Sequence, residues 1–87
     1  MFVLMVYDAG VKRVGPILKT ARRYLNWVQN SVLEGEITQG KLKALKRDIA
    51  EVIKPEYDSV IFYIWRTESY AAREIMGVER EARGNFV

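Results

Sequence analysis

The sequence predicts an α+β domain in which two amphipathic helices cover one face of a largely antiparallel sheet. Two short apolar runs rich in β-branched and aromatic residues, 2–7 and 57–65, read as strands. Between them, two stretches carry apolar side chains at helical spacing. The chain has 87 residues, of which 49% are hydrophobic and 29% charged. That allows one thin core and no second one.

Taken in order, Phe2-Val3-Leu4-Met5-Val6-Tyr7 is continuous and stops at Asp8-Ala9-Gly10, as a central, doubly covered strand ending in a turn would. Val11, Val14, Ile17, Leu18, Ala21 and Leu25 then mark a helix over 11–25. Pro16 fits it if the helix begins only a few residues earlier. Residues 27–37 read as extended. Val28 and Val32 share one parity while Leu33, Gly35 and Ile37 share the other. This switch predicts a bulge or tight reversal, hence two short strands or one bent one. Thr38 is an expected N-cap for a second helix marked by Leu42, Leu45, Ile49, Val52 and Ile53, which must end before Pro55. After the strand over 57–65, Ile75, Met76 and Val78 suggest one more short strand, and 79–84 a solvated stretch. The order β-α-β-β-α-β is the split βαβ, ferredoxin-like arrangement, here with an extra C-terminal strand. Its second sheet face needs cover, and Tyr7, Tyr63 and Trp65 are candidates to supply it.

Several function classes are excluded. Cysteine and histidine are both absent, which removes disulfides, thiolate and imidazole chemistry and ordinary zinc sites. The longest apolar run is six residues against about 20 for a membrane span, so no membrane association and a cytoplasmic location are expected. A small domain without staples often gains stability by self-association, which makes a homodimer an expectation.

Three features could carry chemistry. Asp8 is the only acidic residue in positions 1–33 and ends an apolar strand. It reads either as an oxygen ligand for Mg²⁺ or Mn²⁺ or as the N-cap of the following helix. A single carboxylate does not anchor a catalytic metal, so the first reading requires two copies meeting at an axis. Lys12, Arg13, Lys19, Arg22 and Arg23 place five cations on the first helix with no acid among them. That suits a phosphate backbone, or simply a solvated face. Trp27, Tyr63 and Trp65 could stack on bases or could belong to a core or interface.

Val6-Tyr7-Asp8, the basic helix, and Val28-Gln29-Asn30-Ser31-Val32-Leu33-Glu34-Gly35-Glu36-Ile37 together resemble the Cas-two family of CRISPR-associated proteins, as does Pro55-Glu56-Tyr57-Asp58-Ser59-Val60. In that family an apolar first strand ends in Tyr-Asp, and a V-Q-x-S-V-F-x-G-x-L block follows the first helix. The resemblance implies a ferredoxin-like homodimer over 1–66, with a C-terminal segment, 67–87, that pairs with the partner subunit. It implies a metal-dependent endonuclease acting on RNA or DNA, in which paired Asp8 carboxylates hold Mg²⁺ or Mn²⁺ and Arg13 contacts the phosphate. It further implies a role in spacer acquisition beside the Cas-one integrase. Two positions depart from the pattern. The residue two before Gln29, often basic, is Trp27, and the one four after it, commonly Phe, is Leu33.

By this resemblance the chain is expected to be a homodimeric, Mg²⁺-dependent endonuclease with Asp8 and Arg13 catalytic. The alternative is a non-catalytic scaffold binding duplex DNA through Lys12, Lys19, Arg22 and Arg23. An unrelated ferredoxin-like regulatory dimer would need a ligand motif, and none is visible.

Overall fold

A computed structural model describes residues 1–67 and 70–78. The elements are β1 (Phe2–Asp8), α1 (Val11–Ala21), β2 (Asn26–Gln29), β3 (Val32–Glu36), α2 (Gln39–Ala50), β4 (Ser59–Thr67) and β5 (Tyr70–Gly77). They form one antiparallel sheet of order β2-β3-β1-β4-β5. This is the ferredoxin-like order with one strand added outside β4.

β1 is central, but only one of its faces is fully covered. Val3, Met5 and Tyr7 are buried against Ile17 and Ala21 of α1 and Leu42, Leu45 and Ile49 of α2. Phe2, Leu4 and Val6 point to the opposite face and are half-buried. The run looks continuous because both faces are apolar, not because helices cover both. Across β4, Trp65, Tyr63 and Ile61 stand opposite Phe2, Leu4 and Val6, and the Phe2 and Trp65 rings meet at 5.9 Å. Tyr63 and Trp65 thus lie on this open face as expected. Tyr7 does not: its period-2 position turns it into the helix-side core.

α1 ends at Ala21, four residues short of the predicted end. The chain turns there to enter β2, and Leu25 still reaches the core while its N–H donates to the Ala21 carbonyl. The parity switch resolves into a hairpin reversing at Asn30 and Ser31, with Asn30 at φ 41°, a conformation Asn tolerates. β2 also carries a bulge between Trp27 and Gln29. The Thr38 hydroxyl caps α2 by accepting from the Lys41 N–H at 3.1 Å. β4 begins at Ser59 rather than 57, because residues 54–58 form a turn in which the Asp58 and Tyr57 N–H groups donate to the Lys54 carbonyl.

β5 is longer than predicted and pairs antiparallel with β4 of the same chain from Tyr70 to Gly77, which leaves Val78 outside the strand. A boundary drawn at 66 falls within β4. Lys46 of α2 and Arg66 of β4 both pair with Glu74, fastening β5 to the helix layer. The stretch 79–84, read as solvated, lies outside the described residues. No helix among the described residues is long and apolar enough to cross a membrane.

Gly77 closes β5 at φ +86°, and a Cβ there would lie 1.9 Å from the Asp58 carbonyl oxygen. Gly77→Ala should therefore lower unfolding stability by about 1–3 kcal/mol in a urea titration. Gly40→Ala, in a helical position with nothing within 4 Å, should raise it by about 0.5 kcal/mol. Equal effects at the two sites would contradict this geometry.

Candidate nucleic-acid interface and active site

The chain between β1 and α1 is held by a buried carboxylate that sequence reasoning did not single out. Asp58, 0% exposed, accepts from Arg13 Nε at 2.5 Å and Arg13 Nη2 at 2.9 Å. It also accepts from the backbone N–H groups of Gly10 at 3.1 Å and Lys54 at 2.8 Å. All four donors converge on two oxygens, so the buried charge is both paired and hydrogen-bonded. The Arg13 guanidinium holds the Asp58 carboxyl well below the usual carboxylate range; burial opposes this, and the two backbone donors add to it. The same hydrogen bond raises the Arg13 pKa. Gly10 makes room, since a Cβ there would sit 2.5 Å from Arg13 Nη2.

Arg13, expected to grip a phosphate, thus directs two of its donors at Asp58. Asp8 lies two residues before Gly10, opposite Ser59 in the β1/β4 register and exposed at the end of the sheet. It is not the helix cap: Gly10 occupies that position at φ −59°, ψ 150°, with no side-chain cap bond. The capping alternative is therefore set aside. Beside it, the Tyr7 hydroxyl donates to the Val14 carbonyl at 3.4 Å, and burial raises the Tyr7 pKa, with a Ser31 contact acting against it.

The other cations fall into two groups. Lys12, Lys19 and Arg22 are exposed along α1 and its end, and Lys19 and Arg22 line a shallow hollow of about 300 Å³ with Gly15 and Leu18. Arg22 lies over the Trp27 ring at 5.5 Å. Arg23 is turned elsewhere, paired with Asp48 at 3.4 Å and over the Tyr24 ring at 5.8 Å. The Tyr24 hydroxyl donates to the same Asp48, which lowers the Asp48 pKa and raises that of Tyr24. The five-cation face is therefore nearer a three-cation row, with Arg13 and Arg23 matched to carboxylates.

No group of three or more acidic side chains that could hold a metal ion occurs among the described residues. Asp58 is committed to Arg13, which leaves Asp8 as the exposed carboxylate at the end of β1. A hard cation that keeps most of its waters can be held by one or two carboxylates plus phosphate oxygens, so Asp8 fits such a cation only when two copies bring it together.

Fold and site define a ferredoxin-like α+β domain with an exposed carboxylate at one sheet end and a cationic helix beside it. The family model described as CRISPR associated protein Cas2 matches residues 1–73. The CRISPR-associated endoribonuclease Cas2 of Dictyoglomus turgidum is 55% identical over 83 residues, covering 95% of each chain. That of Thermotoga maritima is 49% identical over 84 residues, covering 97% of each. A solved structure described as the crystal structure of cas2 superimposes with a TM-score of 0.73 at 38% identity, covering 92% of this chain and 87% of that one. Streptococcus pyogenes Cas2, solved at pH 6.5, gives 0.69 at 29% identity, covering 80% and 99%. The chain belongs to the Cas2 family of CRISPR-associated proteins. The resemblance carried by the Tyr-Asp strand end and the Gln-x-Ser block therefore holds.

Asp58 has a direct pH consequence. A depressed folded-state pKa contributes stability that is fully present above the unfolded value of about 4 and is lost as pH falls through the folded value. The wild-type melting temperature should drop steeply below about pH 4, and Asp58→Asn should flatten that drop. At neutral pH Asp58→Ala should cost about 3 kcal/mol, because three donor groups lose their acceptor. Parallel melting curves for wild type and Asp58→Asn across this range would show that Asp58 is not the acid-sensitive link.

Proposed function

We propose that this chain is a homodimeric, metal-dependent endonuclease of CRISPR adaptation, acting on a phosphodiester backbone. The observation that carries the reading is the placement of Asp8: exposed at the end of the central strand, not used as a helix cap, and flanked by the exposed Lys12. Close relatives named endoribonucleases support it. So does the open sheet face, where half-buried Leu4, Val6, Val32, Ile61 and Ile75 form an apolar surface suited to a second copy. Among the described residues β5 forms the outer edge of the sheet, and that edge can add to the partner subunit.

Asp8 of the two copies would hold Mg²⁺ or Mn²⁺. Such an ion supplies an activated water and stabilises charge on the phosphoryl oxygens. Lys12 and Lys19 bind the phosphates on either side, while Arg13 fixes the loop that carries Asp8. Water adds to phosphorus and gives up one proton to solvent, the bond to the leaving oxygen breaks, and that oxygen takes a proton from solvent. The cytoplasm and a complex with the Cas-one integrase belong to the same reading. A non-catalytic scaffold for duplex DNA is the second reading, favoured by one observation: Arg13 faces Asp58 rather than solvent.

Asp8→Asn keeps the shape of the side chain and removes its charge. With Mg²⁺ or Mn²⁺ present it should abolish cleavage of single-stranded RNA and of DNA while leaving binding intact. Wild-type cleavage by this variant would reject the role given to Asp8, and binding without cleavage by both proteins would favour the scaffold. Lys12→Glu with Lys19→Glu should weaken nucleic-acid binding across all sequences and reduce its salt slope by about two. An unchanged affinity and slope would make the row a solvated face.

A further inference from the structure

We propose that Trp27 is a stacking platform for an unpaired nucleobase at the end of the cationic row, so that this face takes single-stranded nucleic acid in preference to a continuous duplex. The proposal rests on the reading that the row on α1 binds phosphates. The indole is 49% exposed on edge strand β2, whereas Trp65 packs against Phe2. Trp27 stands opposite Leu33, whose side chain is in the helix-side core, so the ring lies on the side of the sheet that carries α1. The apolar open face proposed for a second copy is the other one.

The ring is also held in place. Its Nε1–H donates to the Asn30 carbonyl at 2.9 Å, across the hairpin turn that Asn30 makes at φ 41°. With its single polar atom satisfied, the indole offers a π surface and no hydrogen-bonding preference, which makes stacking tolerant of base identity. Arg22 lies over the ring with its guanidinium 5.5 Å from the centroid, so positive charge stands beside any nucleotide that stacks on the other face of the indole. Lys12, Lys19 and Arg22 follow each other over ten residues, about 15 Å of helix axis, and lead to that ring. Bases inside a duplex already stack on one another and cannot open onto an indole without unpairing. A chain of phosphates ending on an aromatic plate therefore selects for unpaired bases.

The test compares a labelled single-stranded oligonucleotide with the duplex of the same sequence and length, by fluorescence anisotropy at fixed salt. It uses the wild type, Trp27→Ala and Trp27→Phe, each first shown by thermal melting to be folded. Trp27→Ala should weaken single-strand binding about tenfold, leave duplex binding within twofold, and leave the salt slope unchanged; Trp27→Phe should recover most of the loss. Equal losses on both forms, or no loss on either, would overturn the stacking role and leave the indole as a protein contact or a bare surface residue. If the Lys12 and Lys19 reversals weaken binding while Trp27→Ala does not, only the stacking fails. If the wild type binds neither form, the phosphate-binding reading fails with it.

Discussion

The enclosed ion pair of Arg13 and Asp58 fixes the end of the molecule on which the site depends. Two oxygens collect donors from α1, from the β1/α1 loop and from the turn after α2. A buried carboxylate left without any one of these would bear a desolvation cost that no apolar contact nearby could offset. Such a pair contributes less to net stability than to uniqueness, because alternative arrangements leave a charge unmatched. Here the arrangement it selects sets the angle at which the chain leaves β1 and enters α1. Asp8 and Lys12 sit on either side of that corner, so their relative position is inherited from a residue 45 or more positions away.

The two faces of the sheet divide the work. Helix-side residues such as Phe62, Met5 and Leu33 are fully buried in one cluster with both helices. The opposite face has a half-buried apolar centre at Leu4, Val6, Val32, Ile61 and Ile75, bordered by Glu34, Glu36 and Arg73. A lone domain of this size tolerates such an exposed centre poorly. A second copy on that face would cover it without touching the cationic row on α1. Assembly and nucleic-acid contact can then be altered independently.

Much of this was legible in the sequence because it depends on local signals. The Thr38 cap, the hairpin after Trp27, the period of α2 and the strand-end position of Asp8 all follow from neighbours within a few residues. The misreadings share a cause, which is that partners distant along the chain decided them. Nothing near Asp58 announces a bond to Arg13, and the β-prone run over 57–65 reads it simply as part of a strand. The run 2–7 shows that both strand faces are apolar but not which one helices cover, and Tyr7 falls on the helix side rather than with Tyr63 and Trp65. Arg23 belongs to the basic face by sequence and leaves it in the structure because Asp48 of the neighbouring helix comes within reach.

The hydrogen bond from the Val78 N–H to the Asp58 carbonyl has a further meaning. Because Gly77 aligns with Ser59, and Ser59 with Asp8, the chain departs from β5 at the same rim of the sheet that carries the exposed carboxylate. The chain's exit from β5 and the rim that carries Asp8 are thus neighbours. A label joined directly after Val78 would therefore begin its path beside Asp8 rather than beside the helix layer.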